Sequence, residues 1–150
     1  MTKMYHGLGL ACMYPENWRV TEDTDGGRLL GFTLESPTHS FMTVTEYPIT
    51  VPPSQAIEEA HETMRLEYDD VEFEEIETDF GVTKASITDC KAGDVRFYYL
   101  DLLVVSRLIS FCLDNRTFLI QIQAEDRDFE SLELVFQAIL VSMLQSVQDE

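Results

Sequence analysis

The chain contains three histidines, His6, His39 and His61, and histidine is the side chain most often used as a general base or metal ligand. The three are widely separated along the chain and do not have the spacing of a zinc signature. Glu58 and Glu62 flank His61 on a predicted helix, where a carboxylate could orient the ring, but no nucleophile motif accompanies them. The sequence therefore predicts no catalytic residue and no metal site, and a hydrolytic enzyme built on His61 stays open as an alternative.

An acidic segment holds the densest group of ionisable side chains. Its carboxylates are Asp69, Asp70, Glu72, Glu74, Glu75, Glu77 and Asp79. On a strand, Glu72 and Glu74 would share one face, and a predicted bulge at Glu74–Glu75 would place Glu75, Glu77 and Asp79 together. Such a row could accept a basic peptide or a hard cation, or could simply protect an edge strand from pairing with other chains. The candidate partner-binding residues are therefore Glu72, Glu74, Glu75, Glu77 and Asp79.

The charge balance narrows the classes of partner. Among 150 residues there are 10 basic and 28 acidic side chains, so the net charge is -18 at pH 7. Nucleic acids and anionic membranes are bound through clustered Lys and Arg, and we expect neither as a partner. A field of one sign attracts the opposite sign, so a protein with a basic or apolar segment fits best.

The remaining motifs predict a cytoplasmic protein without a cofactor. The first residues lack the charged-then-apolar layout of a signal peptide, and no apolar run is long enough to span a membrane. Three widely spaced cysteines without a C-x-x-C pair indicate reduced thiols. No glycine-rich phosphate-binding loop is present.

The elements that must position these residues are predicted from hydrophobic periodicity. Apolar residues from Phe129 to Met143 recur at helical spacing, which predicts a long amphipathic helix at the end of the chain. A second helix is predicted in mid-chain with Ser54 as its N-cap and a buried stripe of Ile57, Ala60, Met64 and Tyr68.

Strand-like segments fill most of the rest. They are predicted at 8–13, 18–22, 29–34, 41–47, 71–80, 82–89, 95–105, 108–113 and 117–124, with turns at 14–17, 23–27, 90–94 and 114–115. Together the elements predict an α+β fold, an α/β/α sandwich. Its central, mostly antiparallel sheet is flanked by one mid-chain and one C-terminal helix in a single domain over residues 1–150.

The segment Tyr14-Pro15-Glu16-Asn17-Trp18 resembles the aromatic-Pro-x-x-Trp opening of the PsbP-like and DcrB-like α/β/α sandwich superfamily. The order that follows is also similar: a hairpin, a strand, a mid-chain helix, an antiparallel meander, and a last strand that leads through Glu125-Asp126 into a final helix. The resemblance implies a non-enzymatic accessory role, and the cytosolic Eag-type chaperone branch fits a chain without a targeting segment.

The sequence thus favours a protein-binding module, either chaperone-like or an adaptor. It would grip a partner segment on the uncovered sheet face or on the acidic strand from Glu72 to Asp79. A small-ligand or cation carrier with a pocket between sheet and helix is the main alternative, and a homodimer also stays open.

Overall fold

A computed structural model describes residues 1–77 and 84–147 of the chain. Within these residues the strands are β1 (Thr2–Gly7), β2 (Leu10–Pro15), β3 (Arg19–Asp25), β4 (Arg28–Glu35), β5 (Phe41–Pro48), β6 (Glu72–Glu75), β7 (Ile87–Tyr99), β8 (Leu102–Leu113) and β9 (Arg116–Glu125). The helices are α1 (Pro53–Glu67), between β5 and β6, and α2 (Asp126–Gln145), which follows β9.

Within residues 1–77 and 84–147, the central sheet has seven strands in the order β3-β4-β5-β9-β8-β7-β6, and each neighbouring pair is antiparallel. A separate hairpin pairs β1 with β2. Chain order is kept in the hairpins β3–β4 and β4–β5 and in the meander β7-β8-β9, while β9 crosses back to pair with β5. The predicted α+β sandwich with a mostly antiparallel sheet is confirmed.

Helix α2 covers one face of the sheet and forms the main core. Its apolar stripe is buried at Phe129, Phe136, Ile139, Leu140 and Met143, as the sequence spacing predicts. These side chains pack on alternate residues of β8 and β9, and the edge of the Trp18 ring meets Phe136 with a centroid separation of 5.5 Å. A side chain of this size contributes about 2 kcal/mol when it is buried, so this stripe holds the helix in place.

Helix α1 covers the opposite face over β7, β8 and β9, where a smaller core forms. Ile57 and Met64 are buried there against Val95, Phe97 and Leu108. The helix ends at Tyr68, whose ring stacks on Phe97 at 4.1 Å. Predictions of Ile57 and Met64 in the stripe are confirmed, whereas Ala60 and Tyr68 are only half-buried.

The predicted cap at Ser54 is wrong. The N-cap position is Pro52, two residues earlier, and no side chain caps the helix. Proline at the first helical position needs no hydrogen-bond donor and is pre-set to helical φ, so Pro53 starts the helix instead.

At the N-terminus the structure has one strand more than the sequence pattern indicated. Strand β1 was missed because its side chains are mostly polar and exposed. The expected strand at 8–13 is shifted, since Leu8 and Gly9 form the turn of the β1–β2 hairpin with φ of 57° and 76°.

In the meander, the turn expected at residues 90–94 is part of β7. The strand expected at 82–89 is described only from Lys84, and β7 begins at Ile87. The register of β7 against β8 shifts between Thr88 and Lys91, which marks a bulge. The chain turns instead at Leu100–Asp101, where both residues have positive φ. Turns at Gly26–Gly27 and Asp114–Asn115 lie where the sequence predicted them.

The bulge predicted at Glu74–Glu75 is not present. Glu74 pairs with Asp94 and Glu75 with Gly93 in an unbroken register, and the amide of Ile76 donates to the carbonyl of Ala92 at 3.1 Å. The apolar residues switch from odd to even positions because this segment has a helix on each face of the sheet. Val71 packs on the α1 side, and Ile76 packs on the α2 side.

Candidate functional site

The acidic residues selected from the sequence lie at one end of the central sheet. Glu72, Glu74 and Glu75 belong to β6, the last strand in the sheet order, and each is exposed. Glu77 follows the strand and is exposed too, and Asp79 lies outside the described residues.

The two faces of β6 carry different groups. Glu72 and Glu74 face the α2 side, where they are paired in register with Arg96 and Asp94. Phe73 and Glu75 face the α1 side, so Glu75 does not share the face of the other two carboxylates. The structure therefore divides the predicted acidic row between the two faces of the sheet edge.

Phe73 anchors β6 to the rest of the fold. Its ring stacks on His61 of α1 with a centroid distance of 4.6 Å and lies over the backbone of Gly93. A Cβ at Gly93 would come within 2.4 Å of that ring, so any other residue at this point of β7 would displace the Phe73 ring. This close approach explains why a glycine stands in mid-strand rather than in the turn that the sequence suggested.

A buried charge network lies directly behind the acidic strand. The side chain of Asp94 is 3% exposed, and Arg107 donates to both of its carboxylate oxygens. Arg96 lies 3.5 Å from the same carboxylate and 3.3 Å from Glu74, and Arg107 reaches Glu133 of α2 at 3.7 Å. The network joins β6, β7, β8 and α2.

Arg107 contacts two carboxylates, Asp94 and Glu133, and one aromatic ring. Its guanidinium lies 5.1 Å from the centroid of the Phe129 ring, a cation–π distance. The hydrogen bond to Asp94 raises the pKa of Arg107 above its usual value, against the opposing effect of burial. The sequence reasoning overlooked these residues, although charged side chains at alternate positions of an apolar strand, as at Asp94 and Arg96, are the signal of an inward-facing ion pair.

The network changes which carboxylates are available to a partner. Glu74 is partly neutralised by Arg96, whereas Glu72 and Glu75 make no ion pair with any described residue. Of the predicted residues on β6, Glu72 and Glu75 therefore carry the uncompensated negative charge.

A cavity of about 220 Å³ lies between α2 and the sheet, next to the acidic strand. Its walls are polar and apolar in nearly equal parts, and Arg107, Glu133 and Glu77 contribute charged groups. The remaining lining residues are Ile76, Ile109, Ile122, Phe129, Phe136, Gln137 and Leu140.

His61 lies in a second cleft of about 240 Å³, between α1 and the β6–β7 pair. Ser54 and Glu58 of α1 share this cleft with Glu75 and Lys91. The described part of the chain contains no hydrogen bond from His61 to these side chains, and its ring is stacked on Phe73 instead. The residues that the enzyme alternative requires are near one another, but the nucleophile–base contact that would define a catalytic pair is not formed among them.

The sheet face beyond α1 is polar. Thr33 and Thr43 hydrogen-bond to each other there at 2.9 Å, and Gln121 donates to Ser106 at 2.9 Å. These hydroxyl and amide groups make the face polar, so it does not provide the hydrophobic groove that an apolar partner segment would need.

Solved structures with a similar fold include the following three. The structure of cyanobacterial PsbP (CyanoP) from Synechocystis sp. PCC 6803 matches with a TM-score of 0.62 and 11% identity, over 94% of this chain and 90% of that one. A protein from Bacteroides thetaiotaomicron matches with a TM-score of 0.55 and 14% identity, and the match spans 97% of this chain but 48% of that one. A protein of unknown function from Pseudomonas aeruginosa matches with a TM-score of 0.51 and 8% identity, over 99% and 98% of the two chains.

This chain has the PsbP-like fold. At such low identities the likeness concerns the fold alone, and no protein-family model and no curated protein matches the sequence. The resemblance drawn from Tyr14 to Trp18 and from the order of elements is confirmed at the level of architecture.

Two further features of the structure concern metals and membranes. Among residues 1–77 and 84–147, no group of three or more His, Cys, Asp or Glu side chains is arranged to hold a metal ion. Within the same residues, no helix is both long and apolar enough to cross a membrane.

Proposed function

We propose that this PsbP-like chain is a non-enzymatic accessory module, chaperone-like or an adaptor, that binds a segment of a protein partner along the acidic strand β6. The observation that carries the proposal is the position of this strand. β6 ends the central sheet, pairs with β7 alone among the described strands, and has four exposed residues. An exposed sheet edge presents unpaired backbone groups that an extended peptide can join.

Charge gives this edge its selectivity. Glu72 and Glu75 carry uncompensated carboxylates on opposite faces of the strand, and the whole chain has a net charge of -18. A partner strand with Lys or Arg at positions of matching register would satisfy both faces, and a long-range field of this sign would speed its encounter. Backbone pairing supplies affinity in this scheme, and the carboxylates select basic partners.

The competing role for these charges is protection. Charged residues on an edge strand prevent unwanted pairing between sheets, and such a role needs no partner. The two roles differ in what charge reversal does. If the carboxylates recruit a partner, reversal weakens binding, and if they only protect the edge, the folded monomer aggregates more and no specific interaction changes.

The test is affinity purification of the tagged chain from its native cells, followed by mass spectrometry and by titration of the recovered protein. The variant is Glu72→Lys/Glu75→Lys, which avoids Glu74 because Arg96 contacts it. We expect at least a tenfold loss of affinity, with a thermal midpoint within a few degrees of the wild type.

Glu16→Lys/Glu130→Lys is the control, since it also reverses two exposed carboxylates, and neither of them lies on β6. Failure to recover any stoichiometric protein would contradict the proposed function. If the β6 double variant and the control bind the partner with equal affinity, the β6 carboxylates serve only to prevent unwanted strand pairing.

A small-ligand carrier is a second candidate, favoured by the cavity of about 220 Å³, where apolar side chains and the Arg107 guanidinium line the same space. Ligand sites are commonly apolar pockets with a few fixed polar groups. Native mass spectrometry of the purified chain tests it. A bound small molecule that is lost in Ile122→Trp, where a larger side chain would fill the cavity, would favour the carrier.

Two finer parts of the proposal rest on the sequence alone. They are the cytoplasmic location and the likeness to the Eag-type chaperone branch, and both stay predictions. Fractionation of cells that express the tagged chain checks the first.

A further inference from the structure

The hairpin between β7 and β8 ends in a group of exposed apolar side chains. Tyr98, Tyr99, Leu100 and Leu102 are 65%, 55%, 79% and 46% exposed. We call residues 98–102 the hairpin tip. Single exposed apolar residues are ordinary on a protein surface, but four within five positions form an apolar patch at one end of the sheet, with Tyr99 and Leu102 on one face and Tyr98 on the other.

The backbone at the hairpin tip is held in a conformation that leucine disfavours. Leu100 has φ of 51° and Asp101 has φ of 64°, the left-handed region that tight hairpin turns require and that Asn or Gly normally occupies. Leu8 has φ of 57° in the β1–β2 turn, but it is half-buried and packs against the main core. Leu100 has the same strain and is exposed, so folding stability does not explain a leucine at this position.

The surroundings of the hairpin tip are acidic. Tyr99 lies in edge contact with Tyr68 at 5.9 Å, so the tip adjoins the end of α1 and the segment that leads into β6. Glu67, Asp69 and Asp70 in these two segments are exposed, as is Asp101 in the hairpin tip itself. Positions 66–83 and 97–106 contain no lysine or arginine. The patch is therefore apolar at its centre with carboxylates beside it.

We propose that the hairpin tip is the apolar anchor for the partner segment, which would carry large apolar side chains interspersed with Lys or Arg. This inference rests on the proposed protein-binding function and extends its site from β6 to the neighbouring end of the sheet. Tyr99 and Leu102 are paired in register and so share one face, next to Tyr68, and would contact the apolar side chains. The adjacent carboxylates would pair with the basic ones.

Electrostatic repulsion disfavours a second copy of the chain as the partner at the hairpin tip. Two copies that met at their hairpin tips would bring their carboxylates together, and each copy has a net charge of -18. Like charges across an interface suppress association. A basic, apolar segment supplies both the apolar contact and the charge compensation.

The test uses a displayed library of random dodecapeptides, selected against the wild-type chain, and fluorescence anisotropy with the recovered peptides. Leu100→Asn is the decisive variant, because asparagine tolerates left-handed φ and should keep or raise stability while removing the apolar anchor. Leu134→Asn is the matched control, since Leu134 on α2 is also 79% exposed. We expect peptides that combine Lys or Arg with large apolar residues, and at least tenfold weaker binding to Leu100→Asn but not to the control.

The other outcomes separate this inference from the proposed function. A library that gives no binder, peptides without basic residues, or equal binding to both leucine variants would overturn the anchor. If the native partner still depends on Glu72 and Glu75 in that case, the protein-binding function stands without the anchor. Concentration-dependent dimers in analytical ultracentrifugation that disappear in Leu100→Asn would identify a second copy as the occupant and would also overturn the inference.

Discussion

Arg107 donates two hydrogen bonds to the buried carboxylate of Asp94, from Nε to Oδ1 at 2.8 Å and from Nη2 to Oδ2 at 3.0 Å. The pair joins the facing strands β7 and β8, and both residues face α2. A buried carboxylate is costly unless every charge is compensated, so the two strands and the helix are coupled through this contact. The contact also fixes β7, to which the acidic strand β6 is attached.

Removal of the Arg107 guanidinium should destabilise the fold strongly. Arg107→Met keeps most of the side-chain length but leaves Asp94 with Arg96 alone, at 3.5 Å. We expect the free energy of unfolding to fall by about 3 kcal/mol, because the buried carboxylate loses both hydrogen bonds from Arg107 and keeps only the more distant Arg96. Urea denaturation monitored by the fluorescence of Trp18, which is buried, measures the change.

Two controls define the origin of that loss. Arg19→Met removes a partner from the exposed pair with Glu35 and should cost less than about 1 kcal/mol, since Arg19 is 73% exposed. Asp94→Leu/Arg107→Met removes both charges and should recover much of the stability lost in the single variant. Equal losses in Arg107→Met and Arg19→Met would mean that the buried pair is energetically ordinary.

Two serines, Ser142 within α2 and Ser146 at its C-cap, stabilise the backbone edge of β2. Ser142 Oγ accepts from the amide of Met13 at 3.0 Å, and Ser146 Oγ accepts from the amide of Ala11 at 3.1 Å. The spacing of four residues places both hydroxyls on one helix face. Ser142→Ala/Ser146→Ala should lower the free energy of unfolding by about 2 kcal/mol, since two strand amides lose their acceptors.

Ser131→Ala is the matched control for the serine pair in the same denaturation experiment. Ser131 lies on the same helix, and its hydroxyl donates to the carbonyl of Arg127 at 3.0 Å. The change should be nearly neutral, because no amide of another element depends on that hydroxyl. A double serine variant as stable as Ser131→Ala would show that water replaces the lost acceptors.

The left-handed leucines give opposite predictions for the same substitution. Leu8→Asn should lower the thermal midpoint, because relief of strain is outweighed by the loss of packing against the main core. Leu100→Asn should raise the midpoint or leave it unchanged, because Leu100 is 79% exposed. Differential scanning calorimetry measures both, and a fall in both variants would mean that Leu100 has a packing role in the free chain.

Helix α2 was predicted well because its residues from Phe129 to Met143 repeat at a period that one buried face imposes. Strand β1 was not predicted, since pairing with β2 and the ring contact of Tyr5 with Phe32 at 4.5 Å hold a mostly polar segment in place. The hydrophobic periodicity of a segment does not predict a strand that is stabilised mainly by tertiary contacts.

The errors around β7 have a second cause, which is that turn-forming residues have other uses. Gly93 and Asp94 lie in the segment where the sequence predicts a turn. In the structure Gly93 makes room for the Phe73 ring, and Asp94 pairs with Arg107. The true turn at Leu100–Asp101 lacks the usual Gly or Asn. The acidic strand was found from composition, but its ion partners come from β7, so the sequence could not indicate which carboxylates Arg96 compensates.

Burial of Cys12 should make the stability of the chain depend on alkaline pH. Cys12 is 1% exposed, and this burial raises the pKa of its thiol from 9.0 to about 11. Below pH 9 its contribution is fully present, and as the pH rises from 9 to 11 the unfolded chain loses a proton that the native chain keeps. The free energy of unfolding should therefore fall over this range, with Cys12 accounting for as much as about 3 kcal/mol. Cys12→Ala, compared by urea denaturation at each pH, should show a flatter decline, and parallel curves for the two proteins would rule Cys12 out as the titrating group.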